Sequence, residues 1–87
     1  MRDTSILASL ARLHLEMYVR GYVTKEYACS MASVRILQAL HQQYVAEHLW
    51  LCSDLSDIRA DLECVQDVNI NTSIEQLTQI VEELSNG

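Results

Sequence analysis

Sixty-five consecutive residues, between Gly21 and Gly87, contain neither glycine nor proline, and the chain has no proline at all. In a helix interior, glycine costs about 1 kcal/mol and proline about 3 kcal/mol relative to alanine. Because both helix breakers are absent and the segment is rich in residues that favour helices, we expect an all-α protein.

The chain has 87 residues, which fits a single helical domain over residues 1–87. A chain of this size buries only about 60% of the surface that its unfolded form exposes, yet 49% of its residues are hydrophobic. We expect more apolar helix surface than one small core can hold. The predicted fold is a three- or four-helix bundle, or an array of helical hairpins, completed by a partner chain in a homo- or heterodimer.

Capping residues and apolar spacing predict helices over 4–20, 25–50, 53–67 and 73–85. The first helix takes its N-cap from Asp3, Thr4 or Ser5. Gly21 stands where a glycine normally ends a helix. Thr24 is expected to cap the second helix after a short connection.

Two features of the first half of the chain depend on helical spacing. The first helix carries one apolar stripe, formed by Ile6, Leu10, Leu13 and Met17. Residues 25–67 leave two alternatives open, because no breaker lies within them. They form either one helix of about 40 residues or two helices that meet near residues 50–54, and the average helix length favours two. Ser53 and Asp54 would cap the second of them.

The second half of the chain contains two apolar seams with the spacing of coiled coils. The first seam is Leu51, Leu55, Ile58, Leu62 and Val65, at intervals of 4, 3, 4 and 3. A loop over 67–71 and a capping box at Thr72–Glu75 precede the second seam, which is Ile74, Leu77, Val81 and Leu84. An ordinary bundle helix fits the first seam equally well.

The seams and one aromatic residue supply the candidate partner-binding residues. Trp50 cannot share a helix side with Leu51, so it either packs on a second buried face or anchors an interface. The candidates are Trp50, Leu51, Leu55, Ile58, Leu62, Ile74, Leu77, Val81 and Leu84.

No residue pattern predicts catalysis, a cofactor or a metal ion. His41, His48 and Cys52 can share one side of a helix, but a structural zinc site needs four ligands and no fourth is suitably spaced. Three cysteines without a CxxC motif favour a reducing compartment, the cytoplasm. We expect no signal peptide and no membrane span, since no apolar run approaches about 20 residues.

The net charge of −6 is unevenly distributed. Residues 1–48 carry five basic and four acidic side chains, whereas residues 49–87 carry one basic and eight acidic side chains. An acidic second half argues against direct binding of nucleic acid. We therefore expect a small acidic, non-enzymatic protein-binding module of chaperone or adaptor type, which packs a partner helix against the seams. The alternative is an acidic inhibitor or regulator that masks the basic surface of a nucleic-acid-binding protein.

Overall fold

Four long helices and one short helix surround a common core in the computed structural model, which describes residues 2–86. They are α1 (Arg2–Val19), α2 (Lys25–Leu40), α3 (Gln43–Ala46), α4 (Leu49–Leu62) and α5 (Asp67–Asn86), and the described residues contain no strand. The all-α prediction is confirmed. α1 packs on α2 and α5, and α4 packs on the same two helices. No helix in residues 2–86 combines the length and the apolar character that crossing a lipid bilayer requires.

The turn between α1 and α2 has the geometry that its residues predicted. Gly21 has a φ of +86°, in the left-handed region that glycine enters without a steric penalty. Its N–H donates to the carbonyl oxygen of Tyr18, and the N–H of Tyr22 donates to that of Met17, both at 2.9 Å. This pair of bonds is a Schellman motif, which closes α1. Thr24 then caps α2 through its side-chain oxygen.

The start of α1 differs from the prediction. The helix begins at Arg2, so the expected N-cap residues Asp3, Thr4 and Ser5 lie within its first turn. Thr4 is fully buried, and its hydroxyl donates to the side-chain oxygen of Gln42. The hydroxyl that was expected to cap the helix is therefore used in a contact with a distant part of the chain.

α1 and α2 contribute several small side chains to the core. Ala8 and Ala11 on α1, and Ala28 and Ala32 on α2, are all buried. Because alanine adds little volume beyond the backbone, two helices that meet through alanines can lie close together. Of the large apolar side chains that the structure describes on α1, Leu15 is fully buried, and Leu7 and Tyr18 are partly buried against the same core.

The middle of the chain follows neither of the two expected arrangements. The helical path breaks at Gln42 and again at His48, where the backbone is extended, and not within residues 50–54. The His48 ring stacks on Tyr44 with 4.1 Å between ring centroids, and its Nδ1 lies 2.7 Å from the Tyr44 carbonyl oxygen. Val45, between the two breaks, is buried in the core. These contacts interrupt the helix without glycine or proline.

α5 begins earlier than the capping box predicted. Its first residue is Asp67, so the loop expected over 67–71 is part of the helix. Thr72 is an internal residue, whose hydroxyl donates to the carbonyl oxygen of Val68 at 2.9 Å. Ile70 is buried against the core, which favours an extra turn of helix over a loop.

We expect Ala32→Leu to destabilise the fold by about 1–3 kcal/mol, because extra volume in a close-packed helix contact forces the helices apart. Ala60→Leu is the matched control, since Ala60 is exposed on α4 and a surface change of this kind typically stays within about 0.5 kcal/mol. Urea unfolding followed by circular dichroism gives both free energies. Equal midpoints for the two variants would contradict the close packing of α1 on α2.

Candidate partner-binding surface

The two predicted seams face the interior of a single chain. Six of the nine candidate residues are at most 2% exposed: Leu51, Leu55, Ile58, Leu62, Leu77 and Leu84. Ile74 and Val81 are partly buried and pack against the same core. α4 and α5 pack on each other as well as on α2 and α1, so the seams form no open groove. Of the nine candidates, only Trp50 is exposed, with 40% of its surface accessible to solvent.

A different apolar row lies on the outside of α1. Its residues follow one another at intervals of 4, 3 and 4, so they share one side of the helix. Ile6 is 50% exposed and Leu13 is 47% exposed, and both other residues are partly exposed. We call these residues the α1 row: Ile6, Leu10, Leu13 and Met17. The sequence identified this stripe correctly, and the structure places it outside the core.

α2 also carries apolar residues outside the core, and one of them lies close to the α1 row. Tyr27 and Val34 are 52% and 43% exposed, and Met31 lies between them at helical spacing. Met17 and Tyr27 line one hollow of about 390 Å³ at the end where α1 joins α2. We call the combined set the hairpin surface: Ile6, Leu10, Leu13, Met17, Tyr27, Met31 and Val34.

Two polar side chains connect α1 and α2 beside the hairpin surface. Arg35 places its Nε 3.5 Å from Nε2 of His14, and its Nη1 donates to the Gln38 side chain at 3.3 Å. Burial, and secondarily the positive charge of Arg35, lower the pKa of His14 below its ordinary value. The lowered pKa favours the neutral imidazole, whose Nε2 can accept the hydrogen bond from Arg35.

A polar cluster on the surface joins the ends of three helices. The Tyr18 hydroxyl donates to Oδ1 of Asp67 at 2.7 Å, and Lys25 Nζ lies 3.2 Å from the same oxygen. The hydrogen bond from Tyr18, followed by that from Lys25, lowers the pKa of Asp67, and the bond to Asp67 raises the pKa of Lys25. Because the three groups satisfy one another, the cluster has a structural role at the start of α5.

Within residues 2–86, the histidines and cysteines do not come together in a metal-binding group. His48 is held by Tyr44, and no three His, Cys, Asp or Glu side chains within residues 2–86 are placed to hold one metal ion. Cys29 is buried, and this burial raises the pKa of its thiol. Cys64 is exposed and Cys52 is partly buried, and all three thiols are free.

A second hollow, of about 230 Å³, lies between α4 and α5. Trp50, Asp54 and Asp57 line it from α4, and Ile80 and Glu83 line it from α5. Asp54 and Asp57 are both exposed. The carboxylate of Glu83 and the indole ring of Trp50 line the same hollow. We call this hollow the acidic groove.

No protein-family model, curated protein or solved structure matches this chain.

The small residues were the signal that could have located the hairpin surface from the sequence. Ala8 and Ala11 lie on the opposite side of α1 from Leu10 and Leu13, and only one of these two sides can face α2 and α5. The longer side chains bury more apolar area, which favours placing them inside. The alanines take the inner side because α2 also offers small residues there, beginning with Ala28.

We expect His14→Gln to weaken the dependence of stability on pH. Folding holds the pKa of His14 below 6.5, so the unfolded chain binds this proton more readily and the free energy of unfolding falls as the pH drops below that value. Unfolding measured at about pH 7.5 and pH 5 should show a smaller fall for the variant than for the wild type. His41→Gln, at an exposed histidine, is the control, and an equal effect of both substitutions would contradict this role of His14.

Proposed function

We propose that this chain is a small, acidic, non-enzymatic protein-binding module of chaperone or adaptor type, which packs a helix of a partner against the hairpin surface. One observation carries the proposal. Seven apolar side chains on α1 and α2 lie outside a core that the chain completes by itself. Contiguous apolar surface on the outside of a small protein typically marks an interaction site.

The shape of the hairpin surface supports a helical partner. α1 contains 18 residues, which gives a length of about 27 Å at 1.5 Å per residue. Two neighbouring helices with apolar residues along both form a shallow groove, which is the usual receptor for an amphipathic helix. Full burial of a side chain such as Leu13 is worth about 1.5–3 kcal/mol relative to leaving it in water.

The partner helix is still expected to pack against an apolar surface, but the residues that receive it differ from those expected. The seams on α4 and α5 were expected to receive the partner helix, but they are occupied by one another and by α2 and α1. The excess of apolar helix surface that motivated the expectation lies on α1 and α2. We also propose that the module works in the cytoplasm, because its three thiols are free and one of them is exposed.

The proposal of a non-enzymatic role rests on where the reactive side chains lie. The Cys29 thiol is buried, with its pKa raised, so little of it is the reactive thiolate. His14 is occupied by Arg35 on the side of Nε2. Neither residue meets the other in the described hydrogen bonds, and a nucleophile needs a base within reach.

We expect Leu13→Asp to abolish the capture of a partner protein from a lysate of the source cells. A charge at the centre of the hairpin surface would have to be buried without a counter-ion. Leu49→Asp is the matched control, because Leu49 is 82% exposed on α4, away from that surface. Partners should be retained by the wild type and by L49D, and identified by mass spectrometry.

The recovered partner is then titrated with the three purified proteins by calorimetry. We expect L13D to bind at least about tenfold more weakly than L49D. Circular dichroism checks that both variants are folded. Equal capture and equal affinity for L13D and L49D would refute binding through the hairpin surface.

A second candidate function is supported by the acidic groove. Asp54, Asp57 and Glu83 surround the half-exposed ring of Trp50, and the arginine or lysine of a partner can interact with both the carboxylates and the ring. This arrangement fits an acidic inhibitor or regulator that covers the basic surface of a nucleic-acid-binding protein. Charged contacts of this kind weaken with ionic strength.

We expect a fluorescent arginine-rich peptide to bind the acidic groove at low salt and to dissociate as salt rises from about 0.05 M to 0.5 M. Asp57→Asn should weaken this binding more than Glu63→Gln, which removes the same charge at an exposed position outside the groove. Fluorescence anisotropy measures both affinities. Salt-independent binding, or equal effects of the two variants, would exclude the masking function.

A further inference from the structure

The α1 row is bounded by two charged residues of opposite sign. Asp3 precedes Ile6 by three positions, and Arg20 follows Met17 by three positions. The six positions 3, 6, 10, 13, 17 and 20 therefore repeat at intervals of 3, 4, 3, 4 and 3, which is the spacing of the contact positions in a two-helix coiled coil. The same intervals are obtained when the row is read from either end.

We infer that the α1 row joins two copies of this chain, with the two α1 helices antiparallel across a two-fold axis. The inference rests on the proposed function and names the partner helix. An axis between Leu10 and Leu13 places each of these leucines opposite the other one in the second copy. Ile6 then lies opposite Met17, and Asp3 lies opposite Arg20.

The charges select the antiparallel direction. A parallel pair would place Asp3 beside Asp3 and Arg20 beside Arg20, and like charges across an interface are unfavourable. In the antiparallel pair, each end of the contact combines one carboxylate with one guanidinium. A two-fold axis repeats every contact, so both ends gain the same ion pair.

The two charged side chains are available for these contacts. Asp3 and Arg20 are both exposed, and neither forms an ion pair with another side chain in the described part of the chain. The N–H of Arg20 donates to the carbonyl oxygen of Glu16 at 2.9 Å, so the helical path, and with it the spacing of the row, continues to this residue.

The hollow at the end of the row supports the same pairing. Met17 and Tyr27 line it, and the antiparallel arrangement brings Ile6 of the second copy to Met17. The two-fold axis fills the equivalent hollow of the second copy in the same way. Each subunit contributes the α1 row, its two flanking charges and Tyr27, fewer residues than the 20 to 30 of a standard interface, so we expect a dissociation constant of about micromolar order.

Sedimentation equilibrium of the full chain, from about 1 µM to 500 µM, tests this inference. The wild type should pass from monomer to dimer across that range. Asp3→Arg and Arg20→Asp should each weaken dimerisation by about tenfold, because each places like charges together at both ends. The double variant D3R/R20D should restore the wild-type affinity, since opposite charges meet again.

Glu47→Arg is the matched control, because it reverses an exposed charge outside the row. Restoration by the double variant is an effect that altered folding of a monomer would not produce, and circular dichroism checks each variant. A chain that stays monomeric throughout overturns the inference, and so does a dimer that D3R and R20D leave unchanged. The capture experiment with L13D and L49D is independent of this result, so the proposed function can survive the loss of the dimer.

Discussion

The close approach of α1 and α2 through alanines determines where the apolar residues of this chain lie. Ala8 and Ala11 on α1, and Ala28 and Ala32 on α2, are all buried in the core, so the buried sides of the two helices carry little side-chain volume at these positions. Leucines on α1 that would normally fill such a contact are then left on the outer side. This arrangement of the alanines gives a tight hairpin and leaves an apolar surface exposed on its outer side. The remaining helices complete the core on the inner side.

Local signals correctly predicted the end of α1 and the start of α2, where hydrogen bonds between near neighbours in the sequence close the helices. Gly21 and Thr24 are of this kind, because each acts on residues within four positions of it. The breaks at Gln42 and His48 were missed because two of the contacts in this segment come from distant parts of the chain: the Thr4 hydroxyl bonds to Gln42, and Val45 is buried in the core. Helix propensity over a continuous stretch cannot anticipate a bond between residues 38 positions apart.

Apolar periodicity identified the apolar side of each helix. It does not indicate whether another helix of the chain packs against that side. The seam that begins at Leu51 and the one that includes Leu77 were both identified as apolar, and both are buried by neighbouring helices of the same chain. The stripe through Leu13 was identified with the same rule, and it lies outside. The buried seams and the exposed stripe differ in whether the other helices provide residues that pack against them. The period of the apolar residues does not contain that information.

The uneven charge of the sequence corresponds to two separate surfaces of the fold. The hairpin surface is built from α1 and α2 alone, in the half of the chain with nearly balanced charge, whereas Trp50 and Glu83 belong to a groove built from α4 and α5 alone. No residue of the hairpin surface lines the acidic groove. Apolar binding and charge-based binding are therefore compatible in one molecule. Because apolar contacts respond weakly to salt and the carboxylates respond strongly, ionic strength separates the two contributions in any complex that uses both.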